Sequence, residues 1–99
     1  MGIEDWRAEI DSIDNELLRL INRRARLAVR VGMIKQRAGR PLCDRDRERE
    51  VLARAQRVNL GPLTDLAVAK IFRRIIYESR QIQTATAQTP ETDRKEAVG

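Results

Sequence analysis

Hydrophobic residues recur every three or four positions along the first third of the chain. The repeat runs without a proline from Ile3 to about Lys35. Apolar side chains at this spacing lie on one face of an α-helix, so the pattern predicts one long amphipathic helix. We call its apolar face the apolar stripe; its members are Ile3, Trp6, Ile10, Ile13, Leu17, Leu20, Ile21, Leu27, Ala28, Val31 and Ile34.

Two shorter helices are predicted to follow. Residues 37–43 contain a glycine and a proline, which disfavour a continued helix. Asp44 is a suitable N-cap for a second helix, and the sequence NLGPL at 59–63 ends it. Thr64 or Asp65 then caps a third helix that continues to about residue 87. The apolar positions of these two helices are Val51, Leu52, Ala55, Val58, Leu66, Ala69, Phe72, Ile75, Ile76 and Ile82.

The end of the chain differs from the rest. Residues 88–99, QTPETDRKEAVG after Ala87, are polar and lack periodicity. Such a segment cannot bury enough apolar surface to offset the entropy of ordering it. We therefore predict one helical domain over residues 1–87 and a disordered tail over 88–99, with no second domain.

The first helix is too long for the other two to cover. At 1.5 Å per residue it spans roughly 50 Å, whereas a compact globule of this size has a radius of gyration of about 13 Å. A second copy of the same helix would cover the rest of the apolar stripe. The expected fold is therefore all-α, with three helices per chain and an intertwined homodimer.

Composition narrows the possible chemistry. The chain has no histidine and a single cysteine, Cys43, which excludes a disulfide framework, a zinc site and histidine acid–base catalysis. No apolar leader or membrane span is visible, so we expect a cytoplasmic protein without a membrane partner. The net charge of +5 attracts anions in general and does not choose among nucleic acid, acidic lipid and a small polycarboxylate.

Cations interrupt the apolar stripe. In the column of positions 3, 10, 17, 24 and 31, only position 24 is polar. Arg24 and Lys35 point near the centre of the stripe, and Arg7 lies at its edge. An unpaired charge in a low-dielectric interior costs several kcal/mol or more. Each cation therefore needs an anionic partner, either an acid of the protein such as Glu48 or a ligand.

The other two helices also carry polar residues on their inner faces. Ser79 and Gln83 replace apolar groups on the third helix, and Asp44, Arg47 and Glu48 lie at the start of the second. We therefore expect a shared polar cavity inside the helical core. Guanidinium, ammonium and amide donors suit a compact dianion. They favour electrostatic stabilisation of a transition state over acid–base or covalent catalysis.

Four motifs in order and at characteristic spacing resemble one known family. They are W-R-x-x-I-D-x-I-D-x-E-L-L-x-L-I-N-R-R at residues 6–24, V-G-x-x-K at 31–35, R-P-x-x-D-x-x-R-E at 40–48 and F-x-x-I-I-x-x-S-x-x-x-Q at 72–83. Over residues 3–86 the chain resembles the AroQ-class chorismate mutases. The motif positions coincide with the polar residues found on the inner faces.

The resemblance implies an entwined homodimer with two equivalent sites, each completed by an arginine from the partner's long helix. Arg7 matches that donated arginine. Arg24 and Arg47 match residues that hold the carboxylates of the substrate, chorismate. Lys35 and Gln83 match the pair that flanks the ether oxygen, on which negative charge accumulates in the Claisen rearrangement to prephenate.

Three further residues of this sequence match positions of the family. Asp44 and Ser79 match residues that line the pocket, and Glu48 matches the acid that accepts a hydrogen bond from the ring hydroxyl. The resemblance implies an isomerase with no cofactor and no metal. Because relatives often carry a fused second domain that is not seen here, we expect a stand-alone enzyme of aromatic amino acid biosynthesis.

Other functions remain open from the sequence. An isochorismate pyruvate lyase has a similar helical dimer, although retention of both Glu48 and Ser79 favours the mutase. A basic helical dimer that binds nucleic acid is disfavoured, because Arg24 and Lys35 face inward and aromatic stacking groups are scarce. A catalytically silent scaffold with the same fold is a third alternative, against which the complete pocket argues.

Overall fold

A computed structural model describes residues 2–87, which form three α-helices and no strand within that range. Helix α1 spans Ile3–Arg37, α2 spans Arg45–Val58 and α3 spans Asp65–Ala87. The predicted all-helical class and the order of the elements are confirmed, and α1 extends two residues beyond the expected end. The predicted disordered tail lies outside the described residues.

Local hydrogen bonds define where the helices begin and end. The Asp44 side chain accepts a hydrogen bond from the backbone N–H of Arg47 at 3.0 Å, which confirms the predicted N-cap of α2. Thr64 caps α3 by accepting from the N–H of Ala67 at 3.1 Å. At the end of α1, Gly39 adopts a φ of 69°, a left-handed conformation that glycine accepts without strain.

Helix α3 is at the centre of the chain's fold, because it packs against both α1 and α2. The buried apolar residues are small: Ala55 on α2, and Val68 and Ala69 on α3. Ser79 is also buried, with 8% of its surface exposed. Small side chains let the helices approach closely, but they give a single chain little apolar core.

Helix α1 is packed along only part of its length. The longest dimension of the molecule is 53 Å. Every large apolar residue from Ile3 to Ile21 is at least 40% exposed, and Ile3 itself is 68% exposed. The C-terminal half of α1 instead lies against α3, where Gly32 is buried. The chain therefore leaves the N-terminal half of the apolar stripe open, and Leu27, Val31 and Ile34 farther along it are also 48% to 65% exposed.

Across residues 2–87, none of the helices combines the length and apolar character needed to cross a membrane.

Candidate active site

A pocket of about 260 Å³ lies between the C-terminal half of α1, the start of α2 and the second half of α3. Apolar groups such as Leu27, Val31 and Ile76 form part of its wall. The structure brings seven of the eight predicted site residues into the lining of this pocket. They are Arg24, Lys35, Asp44, Arg47, Glu48, Ser79 and Gln83.

The Arg24 side chain extends from α1 into the pocket and contacts α3. One terminal guanidinium nitrogen donates to the Ser79 hydroxyl at 3.2 Å, across 55 residues of sequence. Partial burial of the guanidinium lowers the pKa of Arg24, and the nearby positive charge of Arg47 lowers it further. Both causes penalise a cation that lacks a counterion. A bound anion at this position would relieve that penalty.

The Lys35 side chain extends from α1 to the N-cap of α2. Its side chain is only 15% exposed, and Nζ is 4.0 Å from a carboxylate oxygen of Asp44 and 3.5 Å from the Leu42 carbonyl oxygen. The hydrogen bond from the Arg47 N–H is the main cause that lowers the pKa of Asp44. Because both contacts of Lys35 are long, its ammonium group retains N–H donors for a ligand.

Gln83 is held against α1. Its Nε2 donates to the carbonyl oxygen of Ala28 at 2.6 Å. The bond fixes the amide group and uses one of its two N–H donors, so the second is left for the pocket. This close approach depends on Gly32: a Cβ there would lie 3.2 Å from Gln83 Cγ and 3.4 Å from Leu42 Cδ2. The sequence analysis did not predict this contact; the available signal was a glycine inside a helical pattern.

Glu48 is paired with Arg80 of α3. Glu48, the acid named as an example of a partner for the inward-facing cations of α1, is therefore paired elsewhere, and the acid near Lys35 is Asp44. Both side chains are partly buried, at 26% exposed for Glu48 and 32% for Arg80, and both line the pocket. Sequence reasoning missed Arg80. Its position four residues after Ile76, on the inner face of α3, was the available signal.

The last two predicted site residues, Arg47 and Arg7, lie in different parts of the molecule. Arg47 lines the pocket and forms an exposed pair with Glu50, three residues later on α2. Such surface pairs contribute little, so the guanidinium can exchange partners at low cost. Arg7 is not in this pocket of its own chain. It lies on the open half of α1, is 69% exposed, and has a carboxylate oxygen of Glu4 at 3.5 Å.

The charge of the lining selects the kind of ligand. Its four cations, Arg24, Lys35, Arg47 and Arg80, outnumber its two carboxylates, Asp44 and Glu48, which gives a formal charge of +2. Among residues 2–87, no group of three or more His, Cys, Asp or Glu side chains could hold a metal ion. The pocket therefore presents hydrogen-bond donors and positive charge, a combination that suits a small organic dianion.

The model of the family described as chorismate mutase type II matches residues 6–84. This chain belongs to that family. The match begins just before Arg7 and ends just after Gln83, so it includes every residue of the predicted site.

Solved chorismate mutases have the same fold. One form of the enzyme from Thermus thermophilus superimposes with a TM-score of 0.82 at 34% identity, covering 83% of this chain and 93% of that one. Chorismate mutase from Helicobacter pylori, solved in complex with prephenate, gives a TM-score of 0.83 at 29% identity and covers 90% and 97%. The resemblance thus spans nearly the whole of both enzymes.

Curated relatives are longer proteins. The bifunctional chorismate mutase/prephenate dehydratase of Aquifex aeolicus is 42% identical over 78 residues, 75% of this chain and 22% of that protein. The corresponding protein of Escherichia coli K12 is 38% identical over 85 residues, 83% of this chain and 22% of its own length. The chain spans about a fifth of the length of these relatives.

Proposed function

We propose that this chorismate mutase type II domain catalyses the rearrangement of chorismate to prephenate, a step of aromatic amino acid biosynthesis. The observation that carries the proposal is the convergence of seven motif residues on one pocket with a formal charge of +2. Chorismate is a dicarboxylate, so its charge complements that of the lining. The related enzyme from Helicobacter pylori was solved with the product, prephenate, bound.

The reaction requires no nucleophile or cofactor. In the Claisen rearrangement the ether C–O bond breaks as a C–C bond forms, and electron density accumulates on the ether oxygen. Lys35 Nζ and the free N–H of Gln83 are the donors that we assign to this oxygen. Their hydrogen bonds strengthen as charge develops, so they stabilise the transition state more than the ground state.

The arginines hold the substrate in a reactive shape. Arg24 and Arg47 are assigned to the two carboxylates, together with the partner subunit's Arg7. Forked guanidinium contacts restrain the flexible enolpyruvyl arm over the ring, which lowers the entropic part of the barrier. Asp44 keeps Lys35 in place, and Ser79 does the same for Arg24 through its 3.2 Å hydrogen bond.

The donated Arg7 requires a homodimer. The open half of the apolar stripe supports one, because eight large apolar residues from Ile3 to Ile21 are at least 40% exposed in the isolated chain. Contiguous apolar surface of this kind marks an interaction site. A two-fold axis across α1 would bury the stripe of each chain against the other and bring Arg7 towards the second pocket.

A chorismate-disappearance assay tests the proposal. Wild type should convert chorismate to prephenate, and Lys35→Ala and Gln83→Ala should each lower kcat by on the order of 100-fold or more, about 3 kcal/mol. Arg30→Ala is the matched control, because this cation of α1 is exposed and outside the pocket. Equal rates in wild type, Lys35→Ala and Gln83→Ala would refute the mechanism.

A parallel incubation with isochorismate distinguishes the lyase alternative. The mutase should release prephenate from chorismate and little pyruvate from isochorismate. Pyruvate release from isochorismate at a higher kcat/KM would replace the proposed reaction with a lyase reaction in the same pocket.

A further inference from the structure

Arg80 lies between two cavities. One is the active-site pocket described above. The other is a cleft of about 470 Å³ along α2 and α3, whose lining includes Arg45, Arg49, Arg73 and Tyr77. Glu48 and Arg80 belong to the lining of both cavities, so their ion pair forms part of the wall that separates them.

The pair also joins two helices. Glu48 is in the first turns of α2 and Arg80 is in the second half of α3, 32 residues away in sequence. Both side chains are about one-third exposed or less. The pair is therefore screened less than the more exposed pairs of the surface, such as Arg49 with Asp46 on α2. A carboxylate in such a pair has few alternative orientations.

The charge distribution shows why this orientation matters. Besides Arg80, the pocket contains three cations that we assign to the substrate: Arg24, Lys35 and Arg47. A freely moving Glu48 carboxylate would be attracted to these cations and would neutralise one of them. Held by Arg80, it leaves them to the substrate and keeps one oxygen for a hydrogen-bond donor within the pocket.

We propose that Arg80 is a positioning residue, which holds the Glu48 carboxylate where it accepts a hydrogen bond from the ring hydroxyl of the substrate. Arg80 thereby sets the preference of the pocket for a ring that carries this hydroxyl. The inference rests on the proposed function, since the ring hydroxyl belongs to chorismate. It adds a residue that lies outside the eight taken from the sequence motifs.

The test uses two substrates and three variants. Arg80→Leu removes the charge and keeps apolar bulk, Arg80→Lys keeps the charge, and Arg73→Leu makes the same change at an exposed arginine two turns earlier on α3. The substrates are chorismate and an analogue in which hydrogen replaces the ring hydroxyl. Activity is measured as kcat and KM, with circular dichroism to confirm that each variant is folded.

Arg80→Leu should lower kcat/KM for chorismate by about 10- to 30-fold, since one partner of a partly buried charged pair is lost. For the analogue, which makes no hydrogen bond with Glu48, the loss should be under about threefold. Arg80→Lys should recover most of the activity on chorismate, and Arg73→Leu should behave as wild type. A merely structural role would lower activity on both substrates equally, and that result would overturn the proposal.

Combining Arg80→Leu with Glu48→Gln gives a second, independent measurement. If Arg80 acts through Glu48, its replacement should change kcat/KM by less than about twofold once Glu48 is already Gln, because residues that act as a unit are not additive. A full 10-fold loss in the Glu48→Gln background would overturn the proposal. If Arg80→Leu does not fold, Arg80→Gln supplies the same comparisons.

Failure of this inference is distinguishable from failure of the proposed function. An active wild type with an equally active Arg80→Leu variant would refute the role of Arg80 alone. A folded wild type that does not convert chorismate would refute the proposed reaction, and the role of Arg80 with it.

Discussion

The two halves of α1 share one periodicity but have different surroundings. Residues 3–21 carry an apolar stripe in which every large side chain is at least 40% exposed. Residues 24–37 lie against α3, contain the buried Gly32, and carry Arg24 and Lys35 into the pocket. Leu27, Val31 and Ile34 of this second half are still 48% to 65% exposed, so the halves differ in their contact with α3 and in the polar residues on the inner face.

The two halves of α1 are therefore suited to different roles. A face of purely apolar residues can be buried by any matching apolar surface, including a second copy of the chain. Cations on such a face require acceptors at fixed positions, such as the Ser79 hydroxyl of α3 and the Asp44 carboxylate at the N-cap of α2. We infer that the N-terminal half of α1 serves assembly, while the C-terminal half serves binding and catalysis.

Leu17→Asp should have the largest effect, because it places a charge in the middle of the open stripe. Leu17 is 50% exposed in the single chain but would be buried in the proposed dimer. Burying an unpaired carboxylate costs several kcal/mol, so the variant should dissociate and lose activity by more than about 100-fold. Sedimentation velocity and circular dichroism, together with the chorismate assay, measure these changes.

Ser12→Asp provides the control, since Ser12 is on the opposite face of the same helix segment. It should remain dimeric and active. A fully dimeric, fully helical Leu17→Asp protein would show that the open half of α1 has no role in assembly.

Arg7→Ala should leave the dimer intact and lower kcat/KM by about 100-fold, the loss typical of one preorganised donor. Arg7 and Lys35 belong to different halves of α1, so the proposal places them in one site only across the two-fold axis. An equal mixture of Arg7→Ala and Lys35→Ala chains, unfolded and refolded together, should regain about a quarter of wild-type activity, because half of the dimers then contain one intact site of two.

No recovery in the mixture, after subunit exchange has been verified, would contradict donation across the interface. Lys35→Ala mixed with Gln83→Ala is the matched control for this experiment. Both residues lie in one pocket of one chain, so each mixed site keeps a defect and activity should stay low.

Gly32→Ala should have the smallest of these effects, and it acts only on the C-terminal half. A methyl group there would lie 3.2 Å from Gln83 Cγ and would displace the Gln83 side chain by a few tenths of an ångström. We expect kcat to fall about 10-fold, since small misplacements of catalytic groups are costly. The free energy of unfolding should change little. Alanine favours helix by about 1 kcal/mol over glycine, and this gain offsets the cost of displacing the Gln83 side chain.

Thermal unfolding together with steady-state kinetics separates these two effects. Ala28→Gly is a useful counterpart, since it keeps the carbonyl that Gln83 contacts and should lower stability more than activity. Unchanged kcat in Gly32→Ala would show that the close approach of α1 and α3 does not set the position of the Gln83 amide.

Much of the site could be predicted because its residues are exceptions to a local pattern. Arg24, Ser79 and Gln83 each occupy a position that the periodicity assigns to an apolar side chain, and the structure brings them to one pocket. The N-cap Asp44 was predictable for a similar reason, since the hydrogen bond that it accepts from the Arg47 N–H spans only three residues. Such features depend on spacing along one helix and need no knowledge of its neighbours.

Pairing between helices was less predictable. The periodicity places Glu48 at the start of α2 without indicating whether a cation of α1 or Arg80 of α3 faces it. The contact between Gly32 and Gln83 likewise depends on how closely α1 and α3 approach.

The amino-acid sequence by itself determined three helices, the ends of those helices and the inward position of the polar side chains, because each depends on interactions within a few residues. The tertiary structure alone decided that Arg80 is the partner of Glu48 and that the amide of Gln83 rests on the Ala28 carbonyl. Both contacts are set by the rotation and separation of packed helices. Those quantities arise from many weak contacts between distant parts of the chain, which no local pattern encodes.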